Sequence, residues 1–470
     1  MKLAKYFSTK ILFAALTISL VGFVILSWWL LFRDERAVKG FEVVYPFLNG
    51  SLFNTRHLLL QYSLNVIPTI LFTFFALVGF GSYILLLKKE IAVRKVVIWS
   101  VVFQTIVFVS YPVLSTDIFS YIFSDRVKSE YGQNTWTVAP LKFTQDPFYN
   151  FADWKDQTNA YGYVHHLTYL PAVTLGGDDV FTTVLLYKLT AAAFAIASIF
   201  IFLHIVADRT EREKSFYLRL LFWNPLFLLE YLGSGHNDAL MIFFLLSGLL
   251  FWQKKNWLLA GILLACSVQV KLLPIIYVGF LCLHVLQNKN LKGFFQFFGS
   301  FSIITAFSFM LMQVSPLTFL SRVFYNTTSY WQSLPALVER LSPGLDIPYT
   351  VVFALSGLAL VFLQLKKNWN PIFTASLAFL IYFSFFTGAY WNWYVLWIFV
   401  VLSQIKNALW ERTILLFTLT SLMAYPLLWF SHRFGFGNVF WSLGTYLWIF
   451  GVPIGFLGYN YCKLQKGKNE

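Results

Sequence analysis

The chain has 470 residues, of which 58% are hydrophobic and 12% charged, with a formal net charge of +14. A water-soluble globular protein of this length could not cover so much apolar surface with so few charges, so that class is excluded. The positive excess sits in short clusters between apolar runs, such as Lys88, Lys89, Arg94 and Lys95 or Arg209, Arg212 and Lys214. This is the positive-inside pattern of a membrane protein against anionic lipid headgroups, and no nucleic-acid partner is expected.

Apolar runs long enough to cross ~30 Å of hydrocarbon recur from end to end. The first, 11–32, follows a basic start, is too long for a secretory leader and lacks a small-residue cleavage site, so it reads as a retained helix. Further spans are expected at 57–87, 94–115, 180–206, 216–232, 238–252, 257–270, 272–287, 294–313, 349–365, 371–387, 391–405, 413–430 and 438–461. The fold class is therefore all-α: a polytopic integral membrane protein with about fourteen transmembrane helices. Residues 1–470 form a single membrane-embedded domain, with both termini cytoplasmic. Two connections are long, 116–179 and 314–348, and the charge asymmetry places both outside. The first is rich in Tyr, Trp and Phe, as short interfacial helices would be. Cys266, Cys282 and Cys462 match no disulfide or zinc spacing and read as packing residues.

The residues able to do chemistry gather at the outer ends of these spans. Asp117, in Ser115-Thr116-Asp117, stands where a helix N-cap would, and also where a membrane-edge carboxylate could deprotonate a hydroxyl. Asp117, Tyr121 and Asp125 share one helical face, and Arg126 beside them is a candidate phosphate contact. Gly235-His236-Asn237-Asp238 interrupts an apolar stretch as a tight turn; His236 is a phosphate candidate, and Asn237 and Asp238 are acceptor or sugar candidates. Lys271 is a lone cation in Val268-Gln269-Val270-Lys271-Leu272-Leu273, where a lipid phosphate would repay the cost of its burial. His165-His166 reads as an exposed loop pair, with His166 a further phosphate candidate. Trp393 and Tyr394, in Trp391-Asn392-Trp393-Tyr394, read as an interfacial belt or a sugar-stacking platform. Arg322, Arg340 and Arg433 are reserve phosphate contacts.

Several of these segments resemble the GT-C glycosyltransferases that use polyprenyl-phosphate sugars, above all the bacterial polyprenyl-phosphomannose-dependent α-1,6-mannosyltransferases. The resemblance rests on "STDIFSYIFSDRVKSEYGQNTW", "DPFYNFADWKDQTNAYGYVHHLTYLP", "NPLFLLEYLGSGHNDALMIFFLL", "WLLAGILLACSVQVKLLPII" and "YWNWYVLW", in family order over about residues 110–400. It implies that Asp117 is the base and that Lys271 lies near the carrier phosphate. Where the family has Asn-Pro-Tyr and Tyr-Gly-Pro, this chain has Asn134-Thr135-Trp136 and Tyr161-Gly162-Tyr163, so the acceptor is not carried over.

The expected function is inverting transfer of a hexose, mannose by the resemblance, from a polyprenyl-phosphate donor to a glycan or lipid-linked acceptor at the outer membrane face. The expected partners are that donor, that acceptor and membrane lipids. No cofactor is demanded, and a divalent cation is compatible but not required. The rival reading is a transporter or flippase of a lipid-linked sugar, which would show repeated halves and broken helices at the midplane.

Overall fold

The computed structural model describes residues 7–31, 66–325, 332–345, 347–434 and 439–469. Part of the expected span 57–87 therefore lies outside the described residues, as do the side chains of Arg322 and Arg433. Among the described residues the chain is helical and contains no strand. Among the described residues six helices are long and apolar enough to cross a membrane, or seven if the bent pair Pro225–Gly233 and Asp238–Gln253 is one span; four shorter apolar helices accompany them. The chain divides into two compact units, Met1–Leu272 with Gly299–Phe324, and Leu273–Phe298 with Tyr325–Glu470.

The first unit opens with α1 (Thr9–Leu31), α2 (Val66–Leu87) and α3 (Val93–Phe108), α1 lying against both of the others. The expected long loop then folds into α4 (Asp117–Ser129), a short 3-10 turn at Pro140–Lys142 and α5 (Tyr163–Gly176). The long helix α6 (Val180–Ile205) packs on α4 and α5, and its start is fixed by Asp179, whose carboxylate accepts the Thr182 N–H at 2.6 Å. A reciprocal cap between Thr210 and Glu213 begins α7 (Glu211–Phe222).

One expected crossing, 216–232, is broken. Pro225 cannot continue α7, and Asn224 instead caps a new segment, α8 (Pro225–Gly233), accepting from Leu226 N and Phe227 N. Beyond Phe227 the turns of α8 widen to π geometry, and the chain then bends by 117° into α9 (Asp238–Gln253). Next, α10 (Trp257–Val270) packs on α9 and ends where Lys271 turns extended, at φ −143° and ψ 138°.

The second unit carries helices Ile275–Gln287, Leu334–Leu341, Tyr349–Lys367, Pro371–Ile381 and Ala408–Phe434. The expected span 391–405 is here a 3-10 turn at Asn392–Val395 followed by the four-residue helices Leu396–Phe399 and Leu402–Ile405. Crowded aromatic rings account for this: Trp391 stacks on Trp393 with centroids 5.5 Å apart, and Tyr394 on Trp397 at 4.3 Å. Stacking between residues two and three apart suits a tighter turn than 3.6 residues.

Candidate functional site

The start of α4, the bend between α8 and α9, and the end of α10 meet in the first unit. Asp117 is the first residue of α4; Thr116 takes the cap position and makes no side-chain cap bond. The Asp117 carboxylate therefore turns away from the backbone. Its Oδ2 accepts the Tyr121 hydroxyl at 3.1 Å and its Oδ1 accepts the Trp154 indole N–H at 3.1 Å. Trp154 reaches it because Ser120 Oγ, on the same helix, accepts both the Asp153 and Trp154 N–H groups at 3.2 Å.

From Tyr121 the contacts continue inward. Its oxygen lies 3.2 Å from His236 Nδ1, and because its single proton goes to Asp117, the imidazole donates at this contact. His236 Nε2 then lies 3.3 Å from Glu230 Oε2. Asp238 Oδ2 lies 3.9 Å from His236 Nδ1 and accepts the Lys271 ammonium at 2.7 Å. Tyr121, Glu230, His236, Asn237 and Asp238 are all buried, whereas Asp117 is half-buried and the Lys271 side chain is 10% exposed. A buried polar core thus lies between a half-buried aspartate and a lysine that is itself mostly buried.

Two glycines make the convergence sterically feasible. Gly235 turns the chain at φ +72°, and a Cβ there would lie 2.7 Å from Ile118 Cδ1 on α4. Gly162 donates its N–H to Gln269 O at 2.8 Å, and a Cβ there would press on that oxygen at 2.6 Å. The loop ahead of α5 is so tied to the chain two residues before Lys271.

Electrostatics follow from this packing. Burial raises the Asp117 carboxyl above its ordinary value, opposed first by the Lys271 ammonium and then by the bonds from Trp154 and Tyr121.

The family model for the alpha-(1->6)-mannopyranosyltransferase N-terminal domain matches residues 37–287, more than half of the chain and all of this network. The chain belongs to that family. It is also similar to alpha-(1->6)-mannopyranosyltransferase B of Corynebacterium glutamicum, with 25% identity over 202 residues, covering 39% of this chain and 33% of that protein. The chain thus aligns to about a third of that relative's length.

Other candidates stand outside the network. Arg126 is buried in α4 and gives its guanidinium to Asp146 at 2.8 Å, Asp178 at 2.6 Å and the Gly177 carbonyl at 2.5 Å. That arrangement braces the loop between α4 and α6. His165 and His166 form no exposed pair: both are buried in α5, His166 against Asp125 at 2.8 Å and His165 against the Tyr187 hydroxyl at 2.8 Å. Trp393 and Tyr394 belong to the second unit. Among the described residues no three His, Cys, Asp or Glu side chains are grouped to hold a metal ion.

Sequence reasoning passed over Glu230, Trp154 and Lys188. Glu230 and Lys188 carried the same signal as Lys271, a single charge within an apolar run. Trp154 was one aromatic residue among many in its loop and had no distinguishing signal.

Burial also holds His165 neutral, pushing its imidazole down to about 4. The unfolded chain takes up this proton near ~6.5, so the folded state loses stability as pH falls from there towards 4, by about 3 kcal/mol in all. Thermal unfolding of the wild type should show this loss, and His165→Gln should flatten the pH dependence over that interval.

Proposed function

We propose that this protein transfers a hexose, mannose foremost, from a polyprenyl-phosphate carrier to a hydroxyl of a glycan or lipid-linked acceptor, with inversion at the anomeric carbon. The carrying observation is the pairing of a half-buried carboxylate, Asp117, with the partly open Lys271 ammonium through one buried polar network. Membership of the mannopyranosyltransferase family and the similarity to the Corynebacterium mannopyranosyltransferase support the sugar.

In this reading the acceptor oxygen forms its bond to the anomeric carbon as the bond from that carbon to the phosphate oxygen breaks. The electron pair leaves with polyprenyl phosphate, and the acceptor proton passes to Asp117. A carboxyl raised by burial is a better base than an exposed one. Lys271, held in place by Asp238, faces the oxygen on which negative charge grows. Tyr121 and Trp154 fix the plane of the Asp117 carboxylate. Arg126 and His166 keep the first loop folded. The clustering of basic residues in alternate linkers supports the accompanying topology: about fourteen crossings, both termini cytoplasmic and the reacting end on the outer face.

The test incubates purified protein and an acceptor-containing membrane extract with polyprenyl-phosphate sugars radiolabelled in the hexose. Labelled product of inverted anomeric configuration, with free polyprenyl phosphate released, is expected from the mannosyl donor. Release from no donor would reject the reading.

A further inference from the structure

Lys188 lies eight residues into α6, is 3% exposed and is used by nothing in the mechanism above. Its ammonium donates to the Ser110 carbonyl at 2.5 Å and sits 5.7 Å from the centre of the Phe108 ring. Among the described residues that carbonyl is its one hydrogen-bond acceptor, and no carboxylate lies within ion-pairing distance. An ammonium has three protons to give. The Ser110 carbonyl, just past α3, accounts for one of them and leaves the charge without a counter-charge among the described residues.

The same residues line a cavity of about 180 Å³ between the ends of α1, α3 and α6 and the start of α4. Its walls are Trp28, Phe108, Tyr111, Phe119, Phe181 and Val184, with Lys188 the one charged residue. At about 1.5 Å per residue, the Lys188 backbone lies roughly 12 Å below the Val180 end of α6. The side chain carries its charge to Ser110, just past the end of α3, which is where lipid headgroups meet a helix of this length.

We propose that this groove is the seat of one anionic phospholipid, its phosphodiester on Lys188 and part of one acyl chain against Trp28, Phe181 and Val184. Charge and cavity size together select this occupant. A phosphodiester carries one negative charge, which a single ammonium matches, whereas released polyprenyl phosphate carries up to two and meets no second cation among the described lining residues; a polyprenyl-phosphate hexose carries the same single charge as a phospholipid and is set apart by its isoprenoid chain, not by charge. The short apolar cavity takes a stretch of acyl chain and not an isoprenoid of many units. The lipid would sit at the back of the catalytic turn, because a Cβ on Gly235 would lie 2.9 Å from Lys188 Cγ and Phe119 follows Asp117 by two residues.

The experiment titrates delipidated protein in detergent with phosphatidylglycerol or with phosphatidylcholine of the same chains, counting adducts by native mass spectrometry. One saturable phosphatidylglycerol is expected, bound at least tenfold more tightly than phosphatidylcholine. Lys188→Met should weaken it at least tenfold and Lys188→Arg should retain it. Val184→Phe, which fills the groove and leaves the ammonium in place, should also weaken it and serves if Lys188→Met does not fold. Unchanged phosphatidylglycerol affinity in Lys188→Met and Val184→Phe, equal binding of phosphatidylcholine, or displacement by equimolar polyprenyl phosphate or polyprenyl-phosphate hexose would each overturn the assignment. All these readouts are of binding, so they stand whether or not the sugar-transfer reading does.

Discussion

Asp117→Asn should lower hexose transfer by about 10²–10⁴-fold, the usual contribution of a positioned general base, while donor binding stays within about twofold. Asparagine keeps the shape and still accepts from Tyr121 or Trp154 through its carbonyl oxygen, so folding is not the cause of the loss. What it cannot do is take a proton. The pH profile provides the matching check. Burial raises the Asp117 carboxyl, so its base form is lost as pH falls through a value above the ~3.9 of a free aspartate, and the acid limb of kcat/KM should lie above that figure. Asp117→Asn should remove this limb from whatever activity remains. Turnover in the variant equal to the wild type would move the base elsewhere, with Glu230 and Asp238 already committed to partners deeper in the network.

The parts of the site that were legible in the sequence are those whose signal is local. Asp117 and Tyr121 are four apart on one helical face, and the structure bonds them. Gly235 announced a turn and has a positive φ. Lys271 announced itself by cost alone, one cation amid apolar neighbours. The joins between these pieces were not legible, because Tyr121 and His236 are 115 residues apart and nothing in either segment names the other. Glu230 meets His236 only because α8 widens beyond Phe227, and a period of 3.6 residues would not have placed it there. Two histidines read as exposed are buried for a related reason: their partners, Asp125 and Tyr187, come from α4 and α6, and the sequence around His165 shows only an aromatic loop. The fold divides the same way. The helix Thr9–Leu31 follows from composition; the break before Pro225, signalled by Asn224-Pro225, was read through as the crossing 216–232, and the tightened turn at Asn392–Val395 depends on how rings stack.

Lys271 is the harder residue to test, because it has two jobs. It neutralises Asp238, which is fully buried, so Lys271→Met alone strands a carboxylate and should cost about 3–5 kcal/mol of stability. Loss of activity in that variant would say little about the donor. The double variant Lys271→Met with Asp238→Asn removes the charge and its counter-charge together, and should recover most of the lost stability, since a buried pair is worth little net against neutral groups. If the ammonium also receives the carrier phosphate, the folded double variant should still bind the polyprenyl-phosphate donor about 10–100-fold more weakly, the worth of a charge-assisted hydrogen bond of ~1.5–3 kcal/mol. The acid limb governed by Asp117 should move to higher pH at the same time, because losing the ammonium that holds that carboxyl down outweighs losing the Asp238 carboxylate that pushes it up. Thermal unfolding, donor titration and the pH profile then report three separate things. A stable double variant with unchanged donor affinity would leave Lys271 as a counterion to Asp238, and the carrier phosphate would have to be sought at another cation.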